Sequence, residues 1–253
     1  MKSKKDRQSI FVFDNQDKML EFMIKKWEEF SKETIERREV FVVALSGGRT
    51  PIDFYRGLAK KKEMLSWHKT HVFLVDERFL PFDNADSNYR MLRETLLNQV
   101  PIPQENIHPI PTDRPTPRIS AEEYEEDLRT FFKLPTGQFP EFDLILLGIG
   151  EEGHTASLFP HSPVLKEKVR LAAAVMLDEA RHHRVTLTLP VVNHARNVVF
   201  FVSGKNKASV LERILNQRNG SLPASMVKPK NGNLMFLIDR EANSQLGSGK
   251  EGN

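Results

Sequence analysis

Phe41-Val42-Val43-Ala44-Leu45-Ser46-Gly47-Gly48-Arg49-Thr50-Pro51 decides the fold. Its first five residues form an unbroken apolar run of strand length. A run that does not alternate with polar residues predicts a strand covered on both faces. Two glycines then allow the backbone to turn tightly, and Pro51 precedes an amphipathic helical pattern over Ile52 to Lys60. Strand, glycine turn and helix make the βα half of a crossover unit, in which a second parallel strand must follow.

The same grammar repeats along the chain. Val72–Val75, Leu144–Leu147, Val198–Val202 and Leu234–Ile238 are further short apolar runs. Val185-Thr186-Leu187-Thr188-Leu189 alternates, which predicts a strand with one less buried face. Between the runs lie helical patterns. Lys18 to Ile35 carries Leu20, Met23, Ile24, Trp27 and Phe30 at helix spacing. Asn88 to Leu97 and Lys207 to Leu215 are two more, and Ser120 with Glu123 reads as a capping box opening a helix through Tyr124, Leu128 and Phe131. Strands alternating with helices predict an α/β fold: an open, mostly parallel Rossmann-like sheet with helices on both faces. The proline-rich stretch from Pro101 to Pro117 reads as an extended surface loop. No internal repeat or domain boundary is visible. The expectation is one domain over 1–253, with an ordered core over about 10–242 and a flexible tail over 243–253.

Composition narrows the function. The 253 residues include 37 basic and 34 acidic side chains. An excess of that size does not argue for a nucleic-acid or anionic-membrane partner, and none is expected; it is compatible with a small anionic ligand without demanding one. The absence of cysteine removes disulfides, thiolate nucleophiles and zinc–cysteine sites. The basic start, Met1 to Arg7, is not followed by an apolar stretch of signal-peptide length, so a cytoplasmic protein is expected. The histidines show no persuasive ligand spacing, and no metal is expected.

Chemistry is expected at the carboxyl ends of the strands, where open α/β sheets bind their ligands. Ser46-Gly47-Gly48-Arg49-Thr50 brings bare amides, two side-chain hydroxyls and a guanidinium to a helix N-terminus, which suits a phosphate. The plainer reading is a glycine turn with a capping threonine. Asp76-Glu77-Arg78 follows Val75 directly: either a solvated loop, or an arginine fork for an anion beside an aspartate that orients a histidine. The third segment, Gly148-Ile149-Gly150-Glu151-Glu152-Gly153-His154, contains Gly-x-Gly-x-x-Gly. No helix of dinucleotide-binding length is evident before Pro160, so NAD is not expected. A histidine held among glycines at a strand end is instead placed to act as a base, against the bland reading of a structural histidine. A Ser–His–Asp triad is not excluded by composition, but neither Ser46 nor Ser157 sits in a nucleophile-elbow pattern.

Ser-Gly-Gly-Arg-Thr-Pro (46–51), Val-Asp-Glu-Arg (75–78) and Gly-His-Thr-Ala-Ser-Leu-Phe-Pro (153–160), in this order, resemble the 6-phosphogluconolactonases. Asp86-Ser87-Asn88-Tyr89, Arg184-Val185-Thr186-Leu187-Thr188, Gly204-Lys205-Asn206-Lys207-Ala208, Leu222-Pro223-Ala224-Ser225 and Asp239 agree, so the resemblance spans roughly 10–242. It implies a hydrolase of the pentose phosphate pathway that converts 6-phospho-D-glucono-1,5-lactone to 6-phosphogluconate without a cofactor. By this resemblance His154 activates water, Asp76 positions or polarises that histidine, and Arg78 belongs with them. Ser46, Gly47, Gly48, Arg49, Thr50, Arg184 and Lys207 hold the phosphate, while Gly150, Glu152 and Gly153 shape the turn. Glu152 departs from the family's usual Asp, and Phe236 stands where tryptophan is expected. The resemblance also raises fusion to, or pairing with, a glucose-6-phosphate dehydrogenase. The rival within the superfamily is an isomerase/deaminase of glucosamine 6-phosphate; another is a phosphosugar-binding domain without turnover.

Overall fold

The structure, a computed structural model, describes residues 7–178, 181–216 and 221–246. Strand β1 (Gln8–Phe13) leads into α1 (Gln16–Arg38), and β2 (Phe41–Leu45) into α2 (Arg49–Lys60). Strand β3 (Thr70–Leu74) runs almost directly into β4 (Asp76–Arg78), followed by α3 (Asn88–Thr95), β5 (Ile107–His108) and α4 (Pro117–Phe132). Then come β6 (Leu144–Leu147), β7 (Ala172–Val175), β8 (Arg184–Leu187), the single turn α5 (Leu189–Val192), β9 (Asn197–Val202), α6 (Ala208–Asn216) and β10 (Asn233–Asp239). The expected tail falls largely on residues 247–253, which lie outside the described residues.

Seven strands form one parallel sheet in the order β1-β10-β9-β6-β2-β3-β5. Every residue of β2 and β6 is buried, as their unbroken apolar runs require. Helices cover both faces. On one, Trp27 of α1 meets Phe41 edge-on at 5.3 Å and Phe54 of α2 at 6.0 Å. Register pairs Phe41 with Thr70, so Phe73, three residues further on, faces the other way. There it packs against Tyr124 and Phe131 of α4. From β2 the chain builds outward through β3 to β5, and from β6 it builds the opposite way through β9 to β10. The neighbours β2 and β6 therefore flank a switch point, where loops leave in opposite directions and open a crevice at the carboxyl ends of the strands.

Three expectations are corrected. Val185–Leu189 does not have a less buried face. β8 belongs to a separate antiparallel sheet, β4-β8-β7, and Val185, Thr186 and Leu187 are all fully buried. Thr186 in this strand and Thr188 just after it donate inside the protein, to the Leu187 and Arg170 carbonyls, and not to solvent. The capping box at Ser120 is not the helix start. Thr116 is the N-cap, its hydroxyl accepts from the Ile119 amide at 3.3 Å, and Pro117 occupies the first turn. Proline's fixed φ and missing N–H suit that position, so the helix begins a turn earlier and Ser120 is buried within it. Finally, the Pro101–Pro117 stretch is not wholly loop, because Ile107 and His108 pair with Val72 and Phe73 as the sheet's edge.

Candidate active site

The first wall of the crevice is the turn after β2. Gly48, at φ 115°, precedes α2 and supplies no side-chain cap, so the helix's first amides have no capping side chain. The Tyr55 hydroxyl, nearly two turns into the helix, donates to the Ser46 carbonyl at 2.7 Å and fixes the approach. Gly47 makes room for a neighbouring side chain: a Cβ there would stand 1.9 Å from Asn88 Oδ1 and force Asn88 to shift. Thr50 lines the crevice, whereas the side chain of Arg49 lies outside the described residues.

The second wall is β4, whose three charged residues diverge. Glu77 turns inward and is completely buried. Its carboxylate accepts from the amides of Arg78, Asn88 and Tyr89 at 2.7–2.8 Å and from Ser87 Oγ at 3.0 Å. It thus caps α3 and binds that helix to the strand, although burial itself pushes its pKa up. Asp76 and Arg78 face away from Glu77. Asp76 is nearly buried and accepts a 2.6 Å hydrogen bond from Ser157 Oγ through Oδ2. Arg78 donates to the Asp86 carbonyl. Directly across the antiparallel pair stands Arg184. Two like charges in register repel. Burial first, and Arg78 next, lower the proton affinity of Arg184. One of its nitrogens, Nη1, is buried with no hydrogen-bond partner among the described residues.

The third wall carries the histidine. The Gly150 amide donates to the His154 carbonyl and the Gly153 amide to the Gly150 carbonyl, both at 2.9 Å. Thr155 Oγ1 anchors the turn to the Gly148 carbonyl at 2.8 Å. The Gly-x-Gly-x-x-Gly run therefore closes into turns and an isolated Thr155–Leu158 bridge and opens no helix. The imidazole packs closely against Gly150, where a Cβ would be 2.0 Å from the ring. Phe159 packs on it at 4.6 Å between centroids. Gly153, at φ 86°, brings its own backbone against Leu222, and its carbonyl accepts from the Ala224 amide. Glu152 Oε1 approaches His154 Nδ1 to 3.2 Å, close enough for an ion pair but off the line of a hydrogen bond. Burial lowers the His154 pKa; the Glu152 and Asp76 carboxylates oppose that shift, and Lys207 adds to it. The net shift is downward, which favours the neutral imidazole that a general base needs.

Two adjoining cavities fill the crevice and share Gly47, Gly48, Gly148 and Ile149. The smaller, about 200 Å³, is also lined by Ser46, Asp76, Arg78, Asn88, Gly150 and His154. The larger, about 500 Å³, adds Thr50, Ser203, Asn206 and Lys207. Most of the residues singled out in the sequence thus meet in one place. Glu152, Gly153 and Arg184 line neither cavity. Asn88, Ser157 and Glu77 stand in the site's framework with no role assigned from the sequence. In the sequence Asn88 stands out as the start of a helical pattern and as part of the Asp-Ser-Asn-Tyr segment, while its contact with Gly47 depends on long-range folding. Among the described residues no helix is long and apolar enough to cross a membrane.

Comparison with known proteins places this crevice in context. The sequence model described as glucosamine-6-phosphate isomerases/6-phosphogluconolactonase matches residues 14–236. A 6-phosphogluconolactonase of Synechocystis is 45% identical over 214 residues, covering 84% of this chain and 87% of the relative. The crystal structure of 6-phosphogluconolactonase from Thermotoga maritima superposes with a TM-score of 0.79 at 31% identity, covering 92% of this chain and all of that one. A monomeric glucosamine-6-phosphate deaminase superposes with a TM-score of 0.80 over 94% of this chain and 99% of its own, but at 20% identity it shares the fold alone.

Proposed function

The chain belongs to the glucosamine-6-phosphate isomerase/6-phosphogluconolactonase family, and from its site we propose that it hydrolyses 6-phospho-D-glucono-1,5-lactone to 6-phosphogluconate with His154 as the base. The neutral imidazole takes a proton from water, whose oxygen bonds to the lactone C1. The carbonyl π pair moves to the oxygen, giving a tetrahedral intermediate. As the carbonyl re-forms, the C1–ring-oxygen bond breaks and the imidazolium returns the proton to the departing ring oxygen. The ring-opened acid then ionises. General base and acid work of this kind contributes about 10²–10⁴-fold.

The two cavities divide the substrate between them in this reading. The smaller takes the carbonyl, because it holds His154; Arg78 lies in the same wall, where the oxyanion develops. The larger takes the phosphate, on the uncapped amides of α2, Thr50 and Lys207, with Ser46, Gly47, Gly48 and Arg49 completing the loop. Arg184, facing Arg78, adds positive potential. Asp76 and Glu152 act on the imidazole, and Gly150 and Gly153 give it room. Phosphate held at a distance orients the carbonyl and turns remote binding into rate. Glucose-6-phosphate dehydrogenase forms this lactone, so pairing with that enzyme, in the cytoplasm, is part of the proposal.

The observation that carries the mechanism is a partly buried imidazole packed closely against Gly150 in the same cavity as the glycine loop. The test generates the lactone in place with glucose-6-phosphate dehydrogenase and follows its loss above the spontaneous rate. Wild type accelerates that loss, and folded His154→Ala falls by at least about 10²-fold. Acceleration retained in the variant overturns the assignment of the base. No acceleration by wild type, with ammonia released from glucosamine 6-phosphate, gives the site to the deaminase reaction instead.

A further inference from the structure

We infer that Ser157 is a positioning residue for this reaction: its hydroxyl fastens the Asp76 carboxylate, so that Asp76 acts on His154 across the cavity as a fixed charge and does not close on it. The inference rests on the proposed role of His154.

Ser157 invites a different reading, since a serine three residues from a histidine suggests a nucleophile. The geometry rejects that. Ser157 is 1% exposed and lines neither cavity, so no substrate carbon can reach its oxygen. Its hydroxyl hydrogen goes to Asp76 Oδ2 at 2.6 Å, within the short range of hydrogen bonds to a carboxylate. The serine is itself held, because its amide donates to Thr186 Oγ1 at 3.3 Å. Thr186 is the residue paired with Asp76 across β4 and β8. Asp76 is held from a second direction, where Asn88 Nδ2 donates to its backbone carbonyl at 2.9 Å. Backbone and side chain of this one carboxylate are thus both fastened, by residues from α3 and from the histidine turn.

A carboxylate in a cavity that also holds an imidazole has an obvious alternative partner. If Asp76 swung onto His154 it would stabilise the imidazolium and remove the free base. The other charged groups that act on His154 are Glu152 on its own turn and Lys207 ahead of α6. Arg184 on β8 and Tyr55 on α2 are the groups coupled to Asp76. Neither carries a hydrogen bond to the Asp76 carboxylate, so among the described residues it is Ser157 whose side chain fixes its direction.

The experiment measures lactone hydrolysis against pH for wild type, Ser157→Ala, Asp76→Asn and the double variant, with thermal unfolding to establish that each is folded. Ser157→Cys, nearly isosteric and a weak donor, replaces Ser157→Ala if the latter does not fold. Wild-type turnover that is lost in His154→Ala is read first; without it the proposed function fails, and this inference fails with it. Given that turnover, Ser157→Ala lowers kcat about 10-fold with KM changed less than about 2-fold, and the acidic limb of its pH profile moves to higher pH. In the Asp76→Asn background the same change costs less than about 2-fold, because its target is gone. An unmoved acidic limb, or a fall in kcat that multiplies with that of Asp76→Asn, shows that Ser157 serves packing alone and overturns the inference while leaving the base in place.

Discussion

At the scale of single residues, the site depends as much on missing atoms as on functional groups. His154 occupies the volume a side chain at Gly150 would need. Gly150→Ala puts a methyl carbon 2.0 Å from the ring, and the imidazole, not the closed turn, is the part free to move. The expected outcome is a fall in lactone turnover of about 10²-fold, since a displacement of about 1 Å at a reacting group costs that much. Gly150 is outside the left-handed region, so the loss is not one of backbone strain. A folded Gly150→Ala with wild-type turnover would show that the ring need not lie where it does. This constraint was only half legible in the sequence. Glycines around a histidine announce a close approach, but which glycine lies beneath the ring depends on the turn closing between Gly150 and His154. Ser157 was less legible still: its partner Asp76 is 81 residues away, and nothing in the spacing pairs them.

At the scale of elements, the parallel strands were readable because each lies between two layers and must be apolar throughout. The elements that escaped reading are the ones freed from that requirement. β1 lies at the sheet edge, with Ile10 and Val12 exposed on one side. β7 is Ala-Ala-Ala-Val, without the β-branched run that signals a strand. β4 is Asp-Glu-Arg, which reads as a loop by composition, and becomes a strand because the protein supplies partners for each charge. Glu77 is the clearest case. Buried alone, a carboxylate is costly, but here it replaces the missing backbone partners of the α3 N-terminus. Glu77→Ala leaves those amides buried and unpaired, with an expected loss of about 2–3 kcal/mol in unfolding free energy. Because α3 also supplies Asn88, which covers Gly47, the same variant should lower turnover. Denaturant unfolding and the lactone assay check the two together; a stability within about 0.5 kcal/mol of wild type would show that water replaces the carboxylate without loss.

At the scale of the whole molecule, the catalytic crevice and the opposite end of the sheet make separable responses to acid. Near the start of β3, far along the strand from the crevice, His71 Nδ1 lies 3.3 Å from His108 Nε2, and His108 Nδ1 lies 3.0 Å from Asp127 Oδ2 of α4. Phe73 stacks on His108 at 3.9 Å and Phe131 packs on both imidazoles. Burial, and then the neighbouring His108, push the His71 pKa down to about 4, with Glu105 opposing. A histidine with ordinary affinity in the unfolded chain and depressed affinity in the folded one binds more protons when unfolded. Its stabilising effect is therefore intact above about pH 6.5 and is lost progressively as pH falls toward 4. His154 is shifted in the same direction, so acid also favours its unfolded form. His71→Gln removes the first contribution and leaves the second. The fall in Tm between pH 7 and pH 4.5 should accordingly be smaller in His71→Gln than in wild type, while the acidic limb of lactone turnover, which belongs to His154, stays where it is. Equal falls in Tm for the two proteins would show that the His71 cluster carries no acid sensitivity, and a shifted limb would show that the two ends of the sheet are coupled.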